Sequence, residues 1–139
     1  MAHPGAEIAQ ELENFYREYI ARFNRESPER FLECFTRPYV TISGERGMQV
    51  IKNDDDHAKS FGRMMDRLRE RGWARSEIVQ IKCWAMDPNL GMIATDVTRV
   101  KSDGSVLENV RACYYVRREN GAWKIAMLSE IKPPFSGPA

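Results

Sequence analysis

The segment Arg111–Ile125, RACYYVRRENGAWKI, decides the fold. Two strand-like runs flank Asn120-Gly121, a dipeptide suited to a tight hairpin because both residues tolerate positive φ. Tyr114 and Tyr115 are adjacent, and an extended chain points neighbours to opposite faces. One tyrosine therefore enters the core and the other leaves it.

Working outward, SEIVQIKCWAM, LGMIATDVTRV, SVLENVRACYYVRR and AWKIAMLSEI all read with period two. Asp87-Pro88-Asn89, Asp103-Gly104 and Asn120-Gly121 join them closely, which predicts an antiparallel meander. Counted from two-residue loops, Val97 opposes Val110 and Ile131, and Ile93 opposes Tyr114 and Met127. The core face then collects Tyr114, Val116, Trp123, Ile125, Met127 and Ile131, with Thr95 and Ser129 near its middle and Arg99 opposite Glu108. Tyr114 is the inward tyrosine. The other face carries Asp96, Arg111 and Glu130 in one row, which has the composition of an acid-base triad but reads more simply as an ion-pair ladder. With Leu128 and Tyr115 beside it, that outer face also suits a homodimer interface with a polar rim.

Upstream the period changes. Between Glu7 and Arg25, Ile8, Leu12, Phe15, Tyr19 and Phe23 form a helical stripe, widened by Tyr16 and Ile20. Ser27, Pro28 and Glu29 predict a short second helix running to about Phe35, ended by Pro38. YVTISGE reads as a strand, with Gly44 and Gly47 turning the chain before MQVI. In NDDDHAKSFGRMMDRLRERGW the acids suit a helix N-terminus capped by Asn53 or Asp54, better than they suit a metal or acid-base cluster. Ala58, Phe61, Met65 and Leu68 give that helix its apolar stripe, and His57 in its first turn reads as a surface or capping group. The expected class is α+β, with three N-terminal helices packed on a curved antiparallel sheet. One domain spans 7–132, between loose tails at 1–6 and 133–139.

Composition narrows the partners. The chain has 139 residues, with 21 lysines and arginines against 20 acids, so no general attraction to nucleic acid or anionic membrane is expected. Cys34, Cys83 and Cys113 stand singly among apolar residues, as reduced thiols of a cytoplasmic protein do. Two histidines and no Cys-x-x-Cys give no zinc or iron constellation, so no metal site is expected, with a carboxylate-bound cation the one alternative left open. No apolar run is long enough to span a bilayer.

The order helix, short helix, strand, helix, four strands resembles the nuclear transport factor 2-like superfamily, which includes SnoaL-like cyclases, ketosteroid isomerase and limonene epoxide hydrolase. FYREYIARFNRESPERFLECF and RRENGAW followed by Lys-Ile carry the resemblance, which covers about Ile8 to Ile131. It implies a cone with a cavity between helices and sheet, often in a homodimer. Aligned with ketosteroid isomerase, Tyr19 takes the tyrosine position of the oxyanion hole and Tyr114 the position of its aspartate. Ser43 falls at the base position, so the base is missing. Aligned with limonene epoxide hydrolase, Arg99 matches but Lys101 replaces the aspartate.

Two readings result. In the first, Tyr19 and Tyr114 converge on a carbonyl or phenolate oxygen of a small apolar molecule, with Arg99 and Glu108 at the cavity edge and Glu108 as proton-transfer group. Phe15, Phe61 and Met65 from the helices, and Thr95, Val97, Met127 and Ser129 from the sheet, would line this cavity. Isomerisation, cyclisation or dehydration without a cofactor is the expected chemistry. In the second, the tyrosines merely pack, and the domain is a non-catalytic ligand-binding or dimerisation module whose interior is filled by methionines, Phe61 and tryptophan.

Overall fold

The computed structural model describes residues 5–25 and 31–135. Helix α1 is Ala6–Arg25, and α2 is Asp54–Glu70, after strands β1 (Phe35–Ser43) and β2 (Gly47–Ile51). Four long strands follow: β3 (Trp73–Asp87), β4 (Leu90–Lys101), β5 (Val106–Glu119) and β6 (Ala122–Ile131). They form one six-stranded sheet in the order β2-β1-β6-β5-β4-β3, antiparallel except where β1 runs parallel to β6. The α+β class is as expected, but only two α-helices occur among the described residues. Ser27, Pro28 and Glu29, the expected start of another helix, lie outside them. Its expected end is corrected: a 3-10 turn covers Leu32–Cys34, Phe35 already opens β1, and Pro38 lies within that strand. Pro38 is tolerated there because the pairing with β6 is interrupted between Phe35 and Val40.

Helix α1 buries Leu12, Tyr16, Tyr19, Ile20 and Phe23. Tyr16 belongs to this stripe in place of Phe15, which stays half-exposed. Burying each such side chain contributes roughly 1.5–3 kcal/mol, so the stripe is the main force holding the helix on the sheet. Both ends are also pinned. Near the N-terminus Arg118 pairs with Glu11 at 2.9 Å and lies 4.4 Å from the centre of the Trp123 ring. At the C-terminus the Asn24 amide donates to the Ser76 carbonyl (3.0 Å) and accepts from its N–H (2.8 Å). Helix α2 starts where the Asn53 side chain accepts from Asp56 N–H at 2.8 Å, which satisfies one open donor of the first turn. It buries His57, Phe61, Met65 and Leu68, and Phe61 stacks on Phe31 with ring centres 4.4 Å apart.

Hairpin chemistry sets part of the register. Asn120 (φ 50°) and Gly121 (φ 81°) both adopt the left-handed region, as the two-residue β5-β6 turn demands. The β4-β5 loop differs from expectation: Lys101 N–H donates to Ser105 O, and Gly104 (φ 87°) closes a loop one residue longer than two. Val97 opposes Val110 and Ile93 opposes Tyr114, as counted. The β5-β6 count is wrong beyond Val116. Val116 pairs with Ile125 but Tyr115 pairs with Met127, so Ala126 is an extra residue, a bulge. Every later residue of β6 changes face: Leu128 opposes Tyr114 and Glu130 opposes Ala112, while Met127, Ser129 and Ile131 join the outer face. Asp96 and Arg111 do pair on that face at 2.9 Å, but Glu130 is not in their row.

Close packing leaves one glycine no room. A Cβ on Gly91 would overlap Leu12 Cδ1 and approach Trp84 O to 3.2 Å. Gly91→Ala is expected to lower unfolding stability by roughly 1–3 kcal/mol through overpacking. Gly62→Ala, in open space on α2, should raise it by roughly 0.4–1 kcal/mol. Urea unfolding of the two variants checks both, and equal midpoints would contradict the packing of α1 on β4.

Candidate functional site

Between the two helices and the concave face of the sheet lies a cavity with two adjoining lobes. The larger holds about 350 Å³ and the smaller about 220 Å³, and Tyr19, Met64, Arg67, Leu128, Arg46 and Glu130 line both. The larger volume falls within the roughly 300–1,000 Å³ usual for small-molecule sites.

The floor of the larger lobe is a tyrosine cluster. Tyr16 and Tyr19 stand one helical turn apart on α1, and Tyr114 reaches them from β5, with ring centres 5.4 Å from Tyr16 and 5.8 Å from Tyr19. The Tyr16 hydroxyl donates to Thr95 Oγ1 at 3.2 Å, and the Tyr114 hydroxyl interacts with those of Tyr16 and Tyr19. All three are buried, and that burial raises their pKa values well above the ordinary phenol value. They stay protonated and cannot act as bases; with the Tyr16 proton given to Thr95, Tyr19 and Tyr114 are the two that can serve an incoming oxygen as hydrogen-bond donors.

Towards the surface the lining becomes charged. Glu108 accepts from Arg99 at 2.7 Å and from both terminal nitrogens of Arg71 at 3.2 Å. Burial opposes its ionisation, but the hydrogen bonds from Arg71 and Arg99 prevail and hold the carboxyl below its ordinary value. An ionised carboxylate engaged by two guanidiniums is a poor proton acceptor, which weakens the expected role of Glu108. Glu130 also lines the cavity, and no described cation lies within ion-pair distance of it.

The smaller lobe contains His57, which is only 4% exposed and not the surface group expected. Its ring packs edge-on against Phe35 (4.5 Å) and face-on against Tyr39 (5.0 Å). Arg37 Nη2 lies 3.0 Å from His57 Nδ1, while its Nε donates to Asp54 Oδ1 at 2.7 Å. A guanidinium can only donate, so Nδ1 accepts and the ring carries its proton on Nε2. Burial, reinforced by Arg37 and opposed by Asp54, lowers the pKa from 6.5 to about 4.

The structure thus brings together Tyr19, Tyr114, Thr95, Val97, Arg99 and Glu108 in the larger lobe, and places Phe61 in the smaller. Met65 is core, with Met64 in its place at the cavity wall, and Phe15 packs beside Tyr19 without lining either lobe. Met127 and Ser129 are on the wrong face because of the β6 bulge. The sequence reading missed Tyr16, Leu128, Glu130, Arg46, Arg67 and Arg71. For Tyr16 a signal existed: it shares its helical face with Leu12, Tyr19, Ile20 and Phe23. Among the described residues no group of three or more His, Cys, Asp or Glu side chains is placed to hold a metal ion, and no helix is long and apolar enough to cross a membrane.

A helix-covered curved sheet around a polar-floored cavity is the nuclear transport factor 2-like cone. The family model described as NTF2-like protein (DUF6841) matches residues 9–131, and the chain belongs to that family. Solved structures share the fold at low identity. A protein of unknown function with a cystatin-like fold from Nostoc punctiforme is 16% identical, with 93% of this chain and 94% of that one covered and a TM-score of 0.71. Aln2 from a Streptomyces species is 15% identical over 94% of each chain, with a TM-score of 0.72. A Catenulispora acidiphila protein in complex with S-DNPA is 12% identical, covering 90% of this chain and 94% of that one at a TM-score of 0.66. No curated protein matches this sequence.

The histidine gives a pH signature. Because the folded state disfavours its protonation, stability is complete above pH 6.5 and declines as pH falls towards 4, where the unfolded chain takes up a proton that the folded chain does not. Thermal unfolding between pH 7 and 5, above the carboxylate range, should show this decline in the wild type and a flatter profile in His57→Gln. Parallel profiles would mean that His57 titrates normally.

Proposed function

We propose that this domain binds a small, predominantly apolar molecule whose carbonyl or phenolic oxygen is received by the tyrosine floor. The observation that carries the reading is the convergence of Tyr16, Tyr19 and Tyr114, all protonated, on one buried wall of the cavity. A neighbour of this fold occurs in complex with S-DNPA, which supports a ligand-holding role for the cone. The finer reading is cofactor-independent isomerisation, cyclisation or dehydration, in which the donors stabilise a developing oxyanion. Of the two cavity carboxylates, Glu108 is committed to arginines, so Glu130 is the group available for proton transfer.

A second feature favours a homodimer. Val50, Val40, Met127, Tyr115, Met92 and Trp84 are aligned partner to partner across all six strands, on the outer face of the sheet. A continuous apolar row on the uncovered face suits a second copy of the chain, and so does the half-exposed Val50.

A panel of phenolic and carbonyl ligands, followed by ultraviolet difference spectroscopy, tests the first reading. Tyr19→Phe and Tyr114→Phe should each weaken binding on the order of tenfold, the worth of one good hydrogen bond. Where a bound ketone exchanges its α-proton for deuterium, Glu130→Gln should abolish the exchange. Wild-type affinity in both tyrosine variants would instead make the cluster a packing device. For the dimer, light scattering should give twice the 16.1 kDa chain mass, and Val50→Glu should return the monomer; a monomeric wild type refutes the interface.

A further inference from the structure

Most arginines of the chain are spoken for. Among the described residues, only Arg46, Arg63 and Arg67 form no ion pair. Arg46 and Arg67 line both lobes of the cavity, whereas Arg63 lines neither. They come from separate elements: Arg46 from the tip of the β1-β2 hairpin, where its backbone N–H donates to Ser43 Oγ at 2.8 Å, and Arg67 from the last turns of α2. Both are exposed while the tyrosines are buried, so they form the rim above the floor.

The charge of the cavity does not balance. Its lining has four arginines (Arg46, Arg67, Arg71, Arg99) against two glutamates (Glu108, Glu130) in a chain whose net charge is only +1. Glu108 satisfies the inner pair, and Glu130 forms no ion pair with either rim arginine. Two unpaired guanidiniums over an apolar, aromatic interior match an anionic head on an apolar body. A planar, singly charged carboxylate fits the arginine fork and tolerates the nearby Glu130 better than a dianion would.

We propose that the ligand is an amphipathic carboxylate, its acid group held at the rim by Arg46 and Arg67 and its apolar, oxygen-bearing end directed at the tyrosine floor. The assignment rests on the reading of the cavity as a small-molecule site and narrows it to one chemical class. Arg46 and Arg67 are thus specificity residues, selecting acids over neutral analogues.

A matched pair of fluorescent probes, 6-hydroxy-2-naphthoate and its neutral amide, tests this. The carboxylate should bind at least about tenfold more tightly than the amide at low salt, with the gap narrowing as ionic strength rises. The double variant Arg46→Gln, Arg67→Gln should remove the preference by lowering carboxylate affinity at least about tenfold more than amide affinity, and Arg63→Gln should alter neither. Equal affinity for acid and amide in the wild type would overturn the carboxylate assignment and leave the ligand-binding reading standing. The same assignment fails if the double variant weakens both probes alike, or if 6-hydroxy-2-naphthyl phosphate binds tenfold more tightly than the carboxylate. Binding of neither probe would count against both readings.

Discussion

Ala126 is one more residue than β6 needs to pair with β5, and the chemistry of the cavity depends on it. Side chains alternate along a strand, so a single inserted residue exchanges the faces of everything after it. With the bulge, Leu128 meets Tyr114 over the cavity and Glu130 follows on the same side. Without it, Met127 and Ser129 would face the tyrosines, and the mouth of the cavity would lose the exposed Glu130 carboxylate. The outer face depends on the same residue, since Met127 completes the apolar row from Val50 to Trp84 only after the shift.

Burial then grades the site by depth. Tyr16, Tyr19 and Tyr114 are removed from water far enough that ionisation is suppressed, and they contribute hydroxyl protons without charge. Glu108, nearer the surface, is half-buried but remains charged because Arg71 and Arg99 reach it. His57 shows the reverse balance: burial and a neighbouring guanidinium act in the same direction, and the ring stays neutral. In each case the partner within hydrogen-bonding distance decides whether desolvation removes the charge or is overcome.

Much of this was legible in the sequence, for local reasons. Asn120-Gly121 announced its turn, Asn53-Asp54 a helix cap that falls to Asn53, and the spacing of Leu12, Tyr19 and Phe23 the buried side of α1. The inward direction of Tyr114 followed from strand alternation and held, because the bulge lies on β6 and not between Tyr114 and the β4 register. What escaped notice is non-local. No glycine, proline or turn dipeptide marks Ala126, and the bulge shows only in how β6 pairs with β5. Arg67 lies on a charge-rich helix and Arg46 between the turn glycines Gly44 and Gly47, and only the closing of the cone sets them over one cavity. His57 was misread because its burial depends on Phe35 and Tyr39 from another element.

The anchoring of α1 separates the rigid part of the site from the adaptable part. Two of the floor tyrosines are carried by a helix fixed at one end by Glu11, Arg118 and Trp123 and at the other by Asn24 across to Ser76. Their hydroxyls are therefore held in place before any ligand arrives, which lowers the entropic cost of using them. The rim is built differently: Arg46 extends from a hairpin tip and Arg67 from an exposed helix face, each on a long side chain with no ion-pair partner among the described residues. For the proposed ligand, a fixed floor discriminates the position of an oxygen, whereas long exposed arginine side chains suit acid groups at varied heights. On the proposed ligand reading, such a cavity is strict about the chemistry at both ends of an amphipathic acid and lenient about the length between them.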